Sequence, residues 1–318
     1  MSYIFRFLVL IHACIHLLGF AKGMGFKDFK ELTLPISKPA AFVWLLACIL
    51  ILIYGLFHFL DSKYDWLIGF LAIAISQILV IVFWKDAKFG TLPNIIILIV
   101  SIISFGNYNF KELVRRETLQ LLHQNSKMEK RILCESDLRV PAPVQKWLRR
   151  CGAVGKPPIE VGKVVQRAEL KMKPGQKNWM KASALQYTTI GSPGFIWTVD
   201  VEMNPFVRFQ GRDKFENGKG EMLIKLHSLL TVVHERGEKL DEGTIQRYLG
   251  EMVWFPSLAL SPYVTWEPLD DASTKATMTY GETSGSGTFF FNEHGDFVRF
   301  AALRYMGNDA SAKRHEWV

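Results

Sequence analysis

The chain has 318 residues, of which 49% are hydrophobic, and its formal net charge is +8. Its apolar residues are concentrated before residue 108, which excludes a chain that is soluble throughout. The four cysteines include no C-x-x-C pair, so neither a disulfide framework nor a cysteine-based zinc site is predicted.

The positive charge belongs mainly to one segment. Residues 111–158 carry 11 Lys and Arg against 5 Asp and Glu, whereas residues 159–318 carry 19 against 20. A basic segment beside a bilayer indicates contact with anionic lipid headgroups. No nucleic-acid-binding motif accompanies it, so we expect the lipid bilayer as a partner and no nucleic acid.

Four apolar runs precede this segment, and each approaches the ~20 residues that a helix needs to cross a bilayer. They are Tyr3–Phe20, Ala40–Leu60, Tyr64–Trp84 and Gly90–Phe105. The first run could instead be a signal peptide, but it lacks an A-x-A cleavage site and three more runs follow. The pattern predicts a four-helix transmembrane domain over residues 1–108. The distribution of Lys and Arg around the spans favours a cytoplasmic location for both termini.

Ionisable side chains within a membrane domain are candidates for a functional polar site. His12 and His16 are four residues apart and share one face of the first predicted helix, while Asp86 lies between two lysines before the fourth run. The histidines either form hydrogen bonds inside the bundle or belong to a quinone or proton site. Asp86 belongs either to an ordinary charged turn or to a ligand-binding loop. His58 differs in depth from His12 by roughly 10 Å, which disfavours a shared haem.

Residues 109–158 are predicted to form a basic linker of amphipathic helices. Asn109–Leu133 has apolar residues at helical spacing, and a second, short helix carries Val144, Trp147 and Leu148 on one face.

From residue 159 the apolar pattern alternates with a period of two, which predicts an antiparallel β domain over residues 159–318. In Phe195–Met203, the side chains of Phe195, Trp197 and Val199 share one face. Similar runs are Val165–Met172, Trp179–Tyr187, Glu221–Val233, Ala276–Tyr280, Thr288–Asn292 and Phe297–Met306. This pattern is typical of a sheet with one apolar face.

One helix is predicted within the β domain, over Thr244–Ala259, and we expect it to cross the concave face of a single curved sheet, a half-barrel. Such a sheet has either a packed core or a cavity for an apolar ligand. Arg247 and Glu251 have the i, i+4 spacing of an ion pair, and we hypothesise that Arg212 pairs with Glu251 near a ligand mouth. The predicted ligand-binding residues are Trp197, Arg212, Arg247 and Glu251; ordinary structural ion pairs are the alternative.

Two resemblances cover most of the chain. The stretch Ile11–Phe20 and the turn Trp84–Asn94 resemble the DoxX-like four-helix membrane family. The stretches Gly194–Trp197, Gly211–Asp213, Gly218–Gly220 and Arg247–Glu251 resemble an uncharacterised bacterial domain of unknown function, whose fold is similar to the half-barrel of LolA-like lipoprotein carriers. The resemblances imply a multi-pass protein of the bacterial inner membrane. They also imply further strands after His315–Val318, so a truncated sheet is expected.

Two functions are compatible with this pattern. The first is a membrane protein whose β domain binds an apolar or lipid-like ligand or a partner protein. The second is a DoxX-like membrane protein associated with redox or quinone chemistry. No nucleophile has a placed base, so no catalytic residue is predicted and an enzyme is not favoured. No cofactor or metal site is predicted, and the pattern specifies no oligomeric state.

Overall fold

The computed structural model describes residues 3–125, 132–171, 175–204 and 206–318. The chain divides into two compact units. The helical unit contains residues 1–112 and 227–229, and the C-terminal unit contains residues 113–226 and 230–318. The predicted domain boundaries at residues 108 and 158 stay predictions.

The helical unit is built from long apolar helices. They are α1 (Tyr3–Gly23), α2 (Lys38–Phe59), α3 (Asp65–Val82), the short α4 (Trp84–Ala87) and the first part of α5 (Thr91–Gln124). Ser37 caps α2, since its hydroxyl accepts a hydrogen bond from the Ala40 amide. Four helical segments are long and apolar enough to cross a membrane, namely Tyr3–Gly23, Lys38–Phe59, Asp65–Val82 and Trp84–Gln124. The predicted four apolar helices are therefore confirmed, and they indicate membrane association.

Helix α5 continues through the position where a break was expected. The sequence predicted a span that ends at Phe105 and a separate helix from Asn109, but α5 runs unbroken for 34 residues. A single interior glycine, Gly106, costs a helix only about 1 kcal/mol, so the change from apolar to charged residues alters the surface of α5 and not its backbone. The rest of the predicted Asn109–Leu133 helix includes residues 126–131, which lie outside the described residues.

Small residues allow the helices of the helical unit to approach closely. A Cβ atom on Gly69 would lie 2.1 Å from the Ser101 hydroxyl oxygen, and one on Gly19 would lie 2.4 Å from the Trp44 ring. Such contacts are typical of membrane helices, which associate through close van der Waals packing. The described core around them includes Val9, Ala13, Ile51, Tyr54 and Ile97.

The C-terminal unit contains two antiparallel sheets, and neither is closed. The first has six strands in sequential order: β1 (Val161–Leu170), β2 (Met180–Thr189), β3 (Gly194–Asn204), β4 (Val207–Glu216), β5 (Lys219–Leu226) and β6 (Leu230–Glu235). The second has the order β11-β10-β9-β8-β7, with β7 (Val264–Pro268), β8 (Ser273–Tyr280), β9 (Thr283–Phe291), β10 (Phe297–Tyr305) and β11 (Arg314–Trp317). Met172, the end of one predicted strand, lies outside the described residues.

The prediction of one curved sheet, a half-barrel, is therefore wrong, because the strands form two separate sheets. Helix α6 (Ala142–Arg150) precedes the sheets, and α7 (Glu238–Gly250) connects them and contacts strands of both. Alternation identifies the residues that face a core, but it does not determine which strands pair across an interrupting helix. Helix α7 also begins six residues before the predicted helix, and residues 251–260 form 3₁₀ turns around Pro256.

The space between the sheets is a filled core. Phe195 and Phe215 of the first sheet, Tyr248 of α7 and Phe289 of the second sheet are at most 1% exposed and belong to one cluster. The packed core that the sequence left open is therefore present, and any ligand pocket must lie at its margin. Strand β11 pairs with β10, and the further strands that the resemblance implies stay a prediction.

Candidate functional site

Arg247 of α7 is the centre of a closed polar cluster in the C-terminal unit. It donates hydrogen bonds to Asp213 (3.0 Å), Glu251 (2.8 Å) and Gln186 (3.0 Å). Gln186 in turn donates to the second Glu251 oxygen at 2.5 Å. We call Gln186, Asp213, Arg247 and Glu251 the Arg247 cluster. Its members come from β2, β4, α7 and the 3₁₀ turn that follows α7, so the cluster joins these elements through charge-assisted hydrogen bonds.

Aromatic rings cover one side of the cluster. The guanidinium carbon of Arg247 lies 4.7 Å from the centre of the Phe195 ring and 5.0 Å from that of Trp197. The indole nitrogen of Trp197 donates to Gln166 at 2.8 Å, which fixes the ring. The flat guanidinium is therefore stacked on aromatic faces while its edge binds carboxylates, a combination that lysine cannot reproduce.

The charges in and around the cluster are balanced. Burial raises the pKa of Asp213, and the positive charge of Arg247 partly offsets that rise. Burial and the neighbouring positive charge of Arg247 lower the pKa of Arg304. The negative charges of Asp213 and Glu251 partly offset this lowering. Two carboxylates thus accompany two guanidinium groups. The opposite charges in this arrangement hold the groups in position.

An apolar pocket of about 420 Å³ borders the Arg247 cluster. Arg247 and Glu251 contribute to its wall, and most of the remainder is apolar: Val253, Trp254, Phe297, Val298, Phe300 and Trp317. Ligand pockets typically have about 300–1,000 Å³ and a mostly apolar lining with a few polar groups. A second hollow, of about 610 Å³ beside α6, has a mixed lining that includes Asp137 and Arg139.

Arg299 lies at the rim of the apolar pocket. Its guanidinium carbon is 4.1 Å from the centre of the Phe290 ring. Within the described part of the chain it forms no ion pair, unlike Arg247. The pocket is therefore mostly apolar, and Arg299 is among its lining residues although its guanidinium stacks on Phe290, which does not line the pocket.

Three of the four predicted ligand-binding residues come together, and Arg212 does not. Trp197, Arg247 and Glu251 lie around the same cluster, whereas Arg212 is 2% exposed on the opposite face of β4. Arg212 contacts Glu221 at 2.8 Å and Glu117 of α5 at 3.0 Å. The hypothesis that Arg212 pairs with Glu251 is wrong, because consecutive residues of a strand point to opposite faces.

Glu221 forms ion pairs with the basic side chains on the face of the sheet that carries Arg212. It contacts Arg212 at 2.8 Å, and Arg236 and His234 each at 3.0 Å. Burial raises the pKa of Glu221, but hydrogen bonds from Arg212, Arg236 and His234 outweigh burial and lower it to about 2. These groups bind one another, so we interpret this set as a structural ion-pair network.

His12 and His16 form a buried network in the helical unit, and each is 2% exposed. His12 Nε2 donates to the Asn94 side-chain oxygen at 2.8 Å, and His16 Nε2 lies 2.9 Å from the Ser76 hydroxyl. Ser76 also contacts the Asn94 oxygen at 2.9 Å, and Asn94 donates to Gln77 at 3.0 Å. Helices α1, α3 and α5 thus share one polar network. The spacing of the two histidines within α1 could not predict this network, because their partners belong to other helices.

Two buried atoms beside this network lack hydrogen bonds. Among the described residues, His12 Nδ1 and the indole nitrogen Trp44 Nε1 have no partner. Because His12 Nε2 is the donor to Asn94, Nδ1 of the neutral ring is an acceptor. Trp44 Nε1 is a donor, and the Trp44 ring lies 5.2 Å from that of His16. One unused acceptor and one unused donor are therefore buried in the same region of the bundle.

Asp86 has a separate role from the histidines. Its two carboxylate oxygens accept hydrogen bonds from the Thr33 hydroxyl and the Leu34 amide, both at 2.8 Å. It therefore fastens the connection between α1 and α2. The structure also shows a pair that the sequence reasoning missed, in which His58 Nδ1 lies 2.6 Å from Asp65. Within the described ranges, no group of three His, Cys, Asp or Glu residues is arranged to hold a metal ion.

Comparison with known proteins identifies the C-terminal part of the chain. Residues 132–318, more than half of the sequence, match a family described as "Family of unknown function (DUF6544)". No curated protein and no solved structure matches the chain. The matched region excludes the stretches that resemble DoxX, so that resemblance stays a prediction. The chain belongs to the DUF6544 family, a family of unknown function.

Proposed function

We propose that this protein is a membrane-tethered binding protein whose C-terminal unit holds a single-chain anionic amphiphile, of which a fatty acid is the simplest example. The observation that carries the proposal is the apolar pocket of about 420 Å³ between the end of α7 and β10. Its aromatic and aliphatic walls suit an acyl chain, since burial of each methylene group contributes about 0.8 kcal/mol.

The charge at the pocket mouth supports an anionic head group. Arg247 is already bound by Asp213, Glu251 and Gln186, so an incoming carboxylate would have to displace one of them. Arg299 has no carboxylate partner among the described residues, so its guanidinium needs only to turn away from the Phe290 ring to meet a ligand carboxylate. We therefore expect the acyl chain to occupy the space beside Trp254 and Phe300, with the carboxylate at Arg299.

Photocrosslinking tests this assignment with the full chain in lipid nanodiscs. A fatty acid with a diazirine near its terminal methyl group is added, irradiated, and its adducts are mapped by mass spectrometry. We expect adducts at Trp254 and in β10, reduced by excess unlabelled fatty acid. Adducts confined to α1–α5 would contradict the proposal, because they would indicate only partitioning into the bilayer.

A matched pair of variants makes the test specific. Val298 lines the pocket and is 61% exposed, so Val298→Glu introduces a charge without disturbing the buried core. Val165 on β1 is 72% exposed and lies outside the pocket. We expect Val298→Glu to remove the adducts at the pocket and Val165→Glu to leave them unchanged. Equal adduct yields in both variants would reject the pocket.

The side of the membrane is a further part of the proposal. The distribution of basic residues favours a cytoplasmic C-terminal unit in the bacterial inner membrane. Protease treatment of intact spheroplasts, compared with lysed ones, tests this location. We expect cleavage of the C-terminal unit only after lysis, and cleavage in intact spheroplasts would contradict it.

A second candidate function concerns the helical unit. The unused acceptor His12 Nδ1 and the unused donor Trp44 Nε1 favour a ligand in the bundle that both donates and accepts hydrogen bonds, such as the hydroquinone form of a membrane quinone. Quinone extracted from purified protein should then be near-stoichiometric in the wild type and lost in His12→Phe. Ile11→Phe, at a neighbouring exposed position, is the control. Equal quinone in both variants would indicate carry-over from bulk lipid.

A further inference from the structure

The first sheet ends in a cluster of exposed apolar side chains that neither the core nor the pocket explains. Trp179 is 57% exposed, Met203 49% and Phe206 84%. Trp179 immediately precedes β2, and Phe206 lies between β3 and β4. Because Leu170 pairs with Met180 and Lys181 with Glu202, both connections leave the sheet at the same end. We call Lys171, Lys177, Trp179, Met203 and Phe206 the hairpin tip.

Basic side chains surround these apolar groups. Lys171 Nζ lies 4.4 Å from the centre of the Trp179 ring, and Lys177 and Lys181 are exposed. The nearby Arg208 is paired with Glu202 at 3.3 Å. Tryptophan and lysine together are typical of surfaces at the membrane–water interface, where the ring lies at headgroup level and the ammonium group binds anionic lipid.

We propose that the hairpin tip docks on an anionic bilayer, with Phe206 and Trp179 in the interfacial region and the lysines at the headgroups. Two observations favour a bilayer over a protein partner. The apolar groups lie in separate hairpin connections and not on one element, and the same chain carries four helices apolar enough to cross a membrane. A tethered domain meets the bilayer at high effective concentration, so even a small tip suffices. This proposal is independent of the ligand in the pocket.

A fluorescent label at the tip tests the proposal in the full chain. Phe206→Cys is made after the four native cysteines, all free, are replaced by serine or alanine. Leu269→Cys is the matched control. Leu269 lies in the connection after β7, and its side chain is 52% exposed. Each variant is labelled with an environment-sensitive dye and reconstituted in phosphatidylcholine vesicles with and without phosphatidylglycerol.

The expected result is about twofold stronger quenching by headgroup-spin-labelled lipid at position 206 than at 269, with the difference larger when phosphatidylglycerol is present. Charge reversal by Lys171→Glu with Lys177→Glu should remove the phosphatidylglycerol dependence, because it removes the positive charges that attract the anionic headgroups. Both positions are exposed, so the core is left undisturbed. Equal lipid quenching at 206 and 269 would overturn the proposal. The proposal would also be overturned if an added protein protected the label at position 206 from aqueous quenchers while lipid did not.

Discussion

Arg247 and Asp213 are joined by a hydrogen-bonded ion pair of 3.0 Å that ties helix α7 to strand β4. The two residues are 34 positions apart, and their pairing brings the end of the helix beside the apolar pocket. Their side chains are only about one-fifth exposed, at 18% and 21%. The pair therefore sets the position of one wall of the pocket.

Replacing Arg247 should destabilise the C-terminal unit. Arg247→Met leaves Asp213 and Glu251 without their cation, and breaking a buried pair costs about 3 kcal/mol or more. Urea unfolding of the full chain in detergent, followed by tryptophan fluorescence, measures the loss. Arg208→Met is the control, since the Arg208–Glu202 pair is half exposed and should contribute less than about 1 kcal/mol. Equal losses in the two variants would contradict a structural role for the Arg247 cluster.

The stability of the C-terminal unit should fall in acid because of Glu221. Its pKa is lowered to about 2 from an ordinary value of 4.5. A lowered pKa stabilises the fold above pH 4.5, and this contribution, on the order of 1–2 kcal/mol because solvent screens the exposed partners His234 and Arg236, is lost as the pH falls towards 2. The measurement is unfolding at a series of pH values between 6 and 2.

Glu221→Gln should flatten this acid dependence and lower stability at neutral pH. Glu282→Gln is the control, since the Glu282 side chain is 90% exposed and its ion pair with Lys219 is long, at 3.8 Å. The interpretation of Glu221 fails if both variants retain the wild-type pH profile.

The polar network of the helical unit should contribute to the stability of the bundle. Asn94→Ala removes the partner of His12 and of Ser76, and hydrogen bonds between membrane helices contribute about 0.6–2 kcal/mol each. Unfolding in dodecyl sulfate, followed by circular dichroism, measures the change. Ile95→Ala, next to it at a 47% exposed position, should have little effect; a larger loss for Ile95→Ala would argue against the network.

The head group of the ligand should depend on Arg299. Arg299→Gln removes the cation at the rim, so competition by fatty acid in the crosslinking assay should weaken about tenfold, the value of one charge-assisted hydrogen bond. Competition by the corresponding fatty alcohol should not change. A parallel loss for both competitors would show that Arg299 acts on the shape of the pocket and not on ligand charge.

Local contacts were predictable from the sequence and distant ones were not. Arg247 with Glu251 and His12 with His16 follow from the geometry of one helix, which places residues four apart on one face. Asp213 and Asn94, by contrast, reach these groups through the tertiary fold. Alternation within Phe209–Phe215 was the available signal that Arg212 and Asp213 point to opposite faces, but that strand was not predicted.

The pocket arises from the part of the fold that the sequence predicted least well. It lies between α7 and β10, in the second sheet, whereas the sequence predicted one curved sheet around the helix. Apolar alternation in Phe297–Met306 identified the strand, and no local signal specified that it would pair with β9 and β11 in a separate sheet.

The most direct test of ligand binding is the number of fatty-acid molecules that one chain retains. Native mass spectrometry of the full chain, released from detergent micelles after incubation with fatty acid, counts them. We predict one bound molecule in the wild type and in Val165→Glu, and none in Val298→Glu. No bound molecule in the wild type, or the same number in Val298→Glu, would contradict the proposed function.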